Sequence, residues 1–156
     1  MSKVEEVTHR LRKLSLICDT GYALAIHIRF TSPTLLYQTY PDEWIRFYTE
    51  RGFMLSDPVV RWGLRETGFI RWNDIPDEDH EDVMVHARQH GIEHGVAFSL
   101  GTPASRTLAG LTRSGDEFTG DEIDQMIGLV TEIHDLTREP GEDLATLRSL
   151  TAASLR

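Results

Sequence analysis

Aromatic and acidic side chains between residues 40 and 72 carry the groups best suited to chemistry. Tyr40, Trp44 and Tyr48 recur at every fourth position, a spacing that places side chains on one face of a helix. Tyr and Trp each combine a large apolar body with one hydrogen-bonding group, which usually finds a partner when buried. Asp57 follows among aliphatic neighbours, a more apolar setting than a carboxylate normally tolerates.

This segment has two interpretations. In the first, the aromatic residues are packing core, and Asp57 merely caps a helix that begins at Pro58. In the second, indole N–H, phenol O–H and carboxylate converge on the polar head of a small ligand, because binding sites for small molecules combine apolar walls with a few placed polar groups. Spacing alone leaves both open.

Enzyme and metal chemistry are not indicated. His86 and His90 are four residues apart on a predicted helix, but the only acids nearby form a solvated run, so we expect a surface histidine cluster and no metal or cofactor. Cys18, Ser56 and Ser99 lack a nucleophile context such as G-x-S-x-G. We therefore expect the protein not to be an enzyme.

Periodicity and turn signals give the elements that must position these groups. Capping boxes are predicted at Ser2 with Glu5 and at Thr119 with Glu122. Apolar patterns and breakers predict strands at 22–30, 34–39, 69–72, 95–100 and 107–113. They predict helices at 4–18, 41–52, 58–65, 79–90, from 119 to the Pro140-Gly141 break, and 142–153. This order predicts an α/β fold: an α-β-α sandwich with a mostly antiparallel sheet of about five strands and helices on both faces.

Composition limits the functional classes. The 156 residues make one domain, with 40% hydrophobic and 26% charged residues and a formal net charge of −9. Because nucleic-acid binding depends on Lys and Arg contacts to phosphates, we expect no direct nucleic-acid binding by this chain. The single cysteine, and the lack of an apolar signal or membrane segment, predict a cytoplasmic protein that does not contact membranes.

The combined pattern resembles the autoinducer-binding domain of LuxR-type quorum-sensing receptors. The resemblance spans nearly the whole chain and rests on the motifs Tyr40-Pro41-x-x-Trp44-x-x-x-Tyr48, Asp57-Pro58-Val59, Trp72, Gly91-Ile92-x-x-Gly95 and Leu108-Ala109-Gly110-Leu111-Thr112. It implies that residues 1–156 form a single ligand-sensing domain for an N-acyl homoserine lactone.

The resemblance also implies roles for individual residues. Trp44 would donate its indole N–H to the lactone carbonyl, and Asp57 would accept the amide N–H of the ligand. Tyr40 would donate to the amide carbonyl, which the hydroxyl of Thr112 would also reach. The rest of the implied ligand-binding set, with two aromatic walls, is Tyr48, Val59 and Trp72. We expect the indole of residue 44 and the carboxylate of residue 57 to face a shared apolar cavity.

The chain departs from the family pattern in two places. Ser99 stands where the family usually has a proline, and no helix-turn-helix DNA-binding domain is visible before the end at Arg156. We expect the signal to act on transcriptional regulation through folding stability and dimerisation, as a homodimer or a heterodimer with a full-length relative. The alternative is a stand-alone short form that sequesters signal or inhibits a full-length receptor.

Overall fold

All residues, 1–156, are described by a computed structural model that contains one sheet and seven helices. The strands are β1 (Tyr22–Arg29), β2 (Ser32–Gln38), β3 (Gly68–Arg71), β4 (His94–Leu100) and β5 (Arg106–Arg113). The helices are α1 (Lys3–Ile17), α2 (Asp42–Glu50), α3 (Pro58–Arg65), α4 (Val83–Gln89), α5 (Gly120–Leu136), α6 (Leu144–Arg148) and α7 (Ala152–Leu155).

The five strands pair in the order β2-β1-β5-β4-β3, and every pairing is antiparallel. Helices α1 and α5 pack on one face of the sheet over the main apolar core, and α2, α3 and α4 cover the other face. This arrangement confirms the predicted α-β-α sandwich. None of the helices combines the length and the apolar character that crossing a membrane would require.

Local capping signals set most helix starts. Ser2 accepts a hydrogen bond from the Glu5 amide at 3.1 Å, and Thr119 with Glu122 forms the reciprocal capping box at the start of α5. Helix α4 starts four residues later than predicted. The carboxylate of Asp79 accepts the backbone N–H groups of residues 83 and 84, both at 2.8 Å, so residues 79–82 form the turn that precedes the helix.

A buried histidine pair ties β1 to α5. The rings of His27 and His134 stack with centroids 4.2 Å apart, and His27 Nε2 lies 2.8 Å from the carbonyl oxygen of His134. The Thr107 hydroxyl accepts the backbone N–H of His27 and lies within hydrogen-bond distance of His134 Nδ1, at 2.6 Å. Burial, the neighbouring histidine and Arg138 lower the pKa of His134 to about 4, and both rings are therefore neutral near pH 7.

Candidate ligand-binding site

The face of the sheet under α2–α4 holds two small apolar clusters that meet at Trp72. The first cluster consists of Tyr40, Trp44, Phe53, Val83, Ala87 and Ile92, with half-buried Tyr48 packed against it. The second consists of Val59, Trp62 and Ala97. Trp72 contacts both. The structure thus brings the predicted aromatic residues and Val59 together on one side of the sheet.

Tyr40 reaches this face from outside α2. Pro41 has extended backbone angles and is the N-cap of the helix, not its first residue, so Tyr40 lies before the helix. The prediction that three aromatic residues share one helix is wrong for Tyr40. Only Trp44 and Tyr48 lie on α2, with ring centroids 5.7 Å apart, while the Tyr40 hydroxyl donates to the carbonyl oxygen of Gly110 at 3.4 Å.

Asp57 is both a helix cap and part of a buried polar pair. Its Oδ1 accepts the Val59 amide at 2.8 Å as the N-cap of α3, and its Oδ2 accepts the Tyr48 hydroxyl at 2.7 Å. Burial raises the pKa of Asp57 above its ordinary value, and these two hydrogen bonds oppose the rise. Burial and the charge of Asp57 raise the pKa of Tyr48, so the phenol remains a donor. The predicted helix cap is therefore confirmed, and the role of Asp57 in ligand binding stays a prediction.

The phenol of Tyr48 contacts both Trp44 and Asp57, the two residues predicted to hold the ligand head. Its ring packs edge-on against Trp44, and its hydroxyl bonds Asp57. Where we expected an open cavity shared by these two residues, an aromatic side chain bridges them. The carboxylate oxygen bonded by Tyr48 still has a second lone pair that can accept another donor.

Trp72 lies at the start of a short 3-10 turn after β3, with its indole against two glycines. A Cβ atom on Gly95 would lie 2.1 Å from the indole Cδ2 atom, and one on Gly110 would lie 3.8 Å from its Cζ2 atom. The indole therefore occupies space that only a glycine at position 95 leaves free. Its Nε1 atom is fully buried and has no hydrogen-bond partner within the protein.

Thr112 uses its hydroxyl within the sheet. It lies on β5 two residues beyond Gly110, and alternation along the strand places both on the α2–α4 face. Its Oγ1 donates to the carbonyl oxygen of Gly21 at 2.6 Å and lies 2.8 Å from Thr20 Oγ1. Donation to a ligand would require Thr112 to give up its bond to Gly21.

The histidines of α4 pack against aromatic rings of α2, a contribution that the sequence analysis missed. The rings of His86 and His90 lie 5.1 and 5.0 Å from that of Phe47, and His90 lies 5.1 Å from Trp44. The predicted surface cluster is wrong for these two half-buried residues. The sequence signal for this packing was the four-residue spacing of the two histidines, which places both on the same face of α4. No group of three or more histidine, cysteine, aspartate or glutamate side chains is placed to hold a metal ion.

A cavity of about 300 Å³ opens beside Trp72, between the start of α3 and α4. Its volume lies at the lower end of the range for small-molecule sites, about 300–1,000 Å³. The apolar part of its lining consists of Pro58, Trp72, Ile75, Met84, Val85 and Ile92, and the charged part consists of Asp77, Asp79, Asp82, Arg88 and Glu93. Of the predicted site residues, Trp72 is the one that lines this cavity.

Comparison with known proteins identifies the family. The sequence model of the autoinducer binding domain matches residues 20–137. The chain is 30% identical over 118 residues to the regulatory protein SdiA of Escherichia coli K12, covering 73% of this chain and 49% of SdiA. It is 30% identical over 98 residues to the transcriptional activator EsaR of Pantoea stewartii subsp. stewartii, covering 60% of this chain and 39% of EsaR.

A solved structure supports the same assignment. The structure of SdiA in complex with octanoyl-rac-glycerol superposes with a TM-score of 0.68 at 25% identity, covering 92% of this chain and 63% of that chain. The present chain spans half or less of the length of SdiA and EsaR. These relatives are transcriptional regulators. With most of its length matched in sequence and fold, the chain belongs to the family of autoinducer-binding domains of LuxR-type quorum-sensing regulators.

Proposed function

We propose that this single domain binds an N-acyl homoserine lactone between the sheet and α2–α4. One observation carries the proposal: Asp57 is a buried carboxylate that keeps a free lone pair beside the Tyr48 hydroxyl. An ionised carboxylate is an acceptor only, and a secondary amide N–H is the donor that such a ligand supplies. The lactone and the acyl chain would then extend from this amide along apolar side chains.

The remaining site residues receive the roles implied by their positions. Trp44 donates to the lactone carbonyl and Tyr40 to the amide carbonyl, for which it must release its long bond to Gly110. Thr112 would join them only by releasing Gly21. Each buried methylene of the acyl chain contributes about 0.8 kcal/mol. The walls that the acyl chain and ring contact are Tyr48, Val59 and Trp72.

A second candidate ligand is an acylglycerol, because SdiA has been solved in complex with octanoyl-rac-glycerol. Such a molecule offers an acyl chain, an ester carbonyl and hydroxyl groups, but no amide N–H. The two ligands therefore place different demands on Asp57. An acyl homoserine lactone loses a donor–acceptor pair when the carboxylate is removed, whereas an acylglycerol has no amide bond to lose.

Binding of N-octanoyl homoserine lactone and of octanoyl glycerol, measured by calorimetry and thermal shift, tests the proposal. Ligand at 100 times its Kd should stabilise the fold by about 2.7 kcal/mol. Asp57→Asn keeps a good N-cap for α3 but replaces the carboxylate. We expect this variant and Trp44→Phe each to weaken lactone binding at least about 10-fold, with octanoyl glycerol affected less by Asp57→Asn.

Asp124→Asn is the matched control, since Asp124 is an exposed residue of α5, which packs on the opposite face of the sheet. It should bind both ligands as the wild type does. Equal lactone affinity in the Asp57→Asn and Asp124→Asn variants would contradict the proposed role of Asp57. Absence of lactone binding by the wild type would contradict the proposed function itself.

We further propose that ligand binding acts on transcriptional regulation through folding stability and dimerisation in the cytoplasm. The formal net charge of −9 supports a role in which this chain does not itself bind DNA. The alternative role, a short form that sequesters signal or inhibits a full-length relative, uses the same site. Sedimentation with and without N-octanoyl homoserine lactone tests self-association, and a monomer at all concentrations with ligand bound would exclude the homodimer.

A further inference from the structure

The indole N–H of Trp72 is a buried donor that the protein leaves unpaired. Two buried side-chain atoms lack a hydrogen bond, Trp72 Nε1 and His94 Nδ1. His94 Nδ1 still lies 3.2 Å from a carboxylate oxygen of Glu117, whereas Trp72 Nε1 has no hydrogen-bond partner. Buried polar groups in folded proteins are almost always paired, and an exception calls for a functional explanation.

The position of the indole is fixed by close packing. The ring lies against Gly95, where a Cβ would come within 2.1–2.6 Å of three ring atoms, and beside Gly110. It also contacts the two apolar clusters that contain Tyr40 and Val59. Because the ring cannot rotate freely in this space, its N–H cannot simply turn to the solvent. An acceptor must come to it.

The three hydroxyl donors of the site already have acceptors. The Tyr48 hydroxyl donates a hydrogen bond to the carboxylate of Asp57. The hydroxyls of Thr112 and Tyr40 donate to the carbonyl oxygens of Gly21 and Gly110, respectively. A ligand that uses any of these donors must displace a bond that exists, whereas a carbonyl oxygen near Trp72 would gain one without loss. Trp72 lines the cavity of about 300 Å³ between the start of α3 and α4, which has room for such a group.

We propose that Trp72 donates its indole N–H to the lactone carbonyl oxygen of the ligand, as a second donor beside Trp44, and so determines head-group specificity. This inference rests on the proposed function. A carbonyl oxygen has two lone pairs, enough for one hydrogen bond from each indole. Trp72 then does more than form an apolar wall, because its N–H increases the affinity for ligands whose ring carries an exocyclic oxygen.

A ligand pair isolates this bond. N-octanoyl homoserine lactone and N-(tetrahydrofuran-3-yl)octanamide share the acyl chain, the amide and the ring oxygen, and differ in the lactone carbonyl. The wild type should bind the lactone about 10-fold more tightly or better. In Trp72→Phe that preference should fall by about 5–10-fold, because the variant loses affinity for the lactone and not for the tetrahydrofuran analogue.

Trp62→Phe is the matched control, since Trp62 is also buried but its indole N–H is not among the unpaired buried groups. It should keep the wild-type preference. An equal loss of affinity for both ligands in Trp72→Phe would reduce Trp72 to a packing residue and overturn the proposal. If the wild type binds neither ligand, the proposed function fails instead, so the two failures are distinguishable.

NMR of the wild type keeps the test independent of mutant folding. The chain has three tryptophans, and therefore three indole N–H signals that single Trp→Phe substitutions at positions 44 and 62 help to assign. We expect the Trp72 indole proton to move downfield on binding the lactone, and to move much less with the tetrahydrofuran analogue. The same shift with both ligands would also overturn the proposal.

Discussion

Replacing Gly95 by alanine tests the packing on which the site depends. Gly95 lies on β4 and does not have a positive φ, so its backbone accepts an alanine without strain. The added Cβ, however, would meet the indole of Trp72 at 2.1, 2.3 and 2.6 Å. To restore a contact of 3.4 Å, the ring or the strand must move by about 1.3 Å, and neither is a flexible chain end.

The expected cost follows from overpacking. Forcing an extra methyl group into a packed interior costs about 1–3 kcal/mol. For a protein of this size, 1 kcal/mol corresponds to about 2–4 °C in Tm, so Gly95→Ala should lower Tm by about 2–12 °C. In a Trp72→Leu background the same substitution should cost little, because the ring that it meets has been removed.

Urea and thermal unfolding measure this loss of stability in four variants: Gly95→Ala, Trp72→Leu, their combination, and Gly128→Ala. Gly128 lies within α5 with open space where its Cβ would stand, so alanine there should stabilise the protein by up to about 1 kcal/mol. If Gly95→Ala is as stable as the wild type, or if its cost persists in the Trp72→Leu background, the indole does not pack on Gly95 and our reasoning is wrong.

Two further predictions concern buried polar groups. Asp57→Ala should lower the free energy of unfolding, measured in urea, by about 2–4 kcal/mol, because it removes the cap on the Val59 amide and leaves the Tyr48 hydroxyl unpaired. Asp57→Asn should be about 1 kcal/mol less destabilising than Asp57→Ala. The pKa of His134 is about 4 when folded and 6.5 when exposed, so stability should be complete above pH 6.5 and fall as the pH drops towards 4. By pH 5 the loss should be about 1–2 kcal/mol. His134→Gln keeps a hydrogen-bonding side chain near Thr107 and should remove that part of the pH dependence. An unchanged pH dependence would contradict the assignment to His134.

The sequence alone determined most of the elements and which side chains are available for a site. Helix caps and the Asp57-Pro58 helix start are signals carried by residues close together in the chain. The Thr119–Glu122 capping box and the Asp57 cap appear in the structure as predicted, whereas at Ser2 only the bond from the Glu5 amide forms. The predicted sheet and its two helical layers followed from the order of these elements. The motif from Tyr40 to Trp72 indicated the family, which comparison with known proteins confirmed.

Only the tertiary structure decided which groups are bonded to which. Tyr40 is hydrogen-bonded to Gly110, 70 positions away in the sequence, and Thr112 to Gly21, 91 positions away. The pairing of Tyr48 with Asp57 and the unpaired N–H of Trp72 depend on how α2, α3 and the turn after β3 pack on the sheet. A residue type gives a side chain its hydrogen-bonding capacity, but strand register and helix packing decide whether a partner lies within 3 Å of it. Such contacts join distant parts of the chain, and no local pattern of residues encodes them.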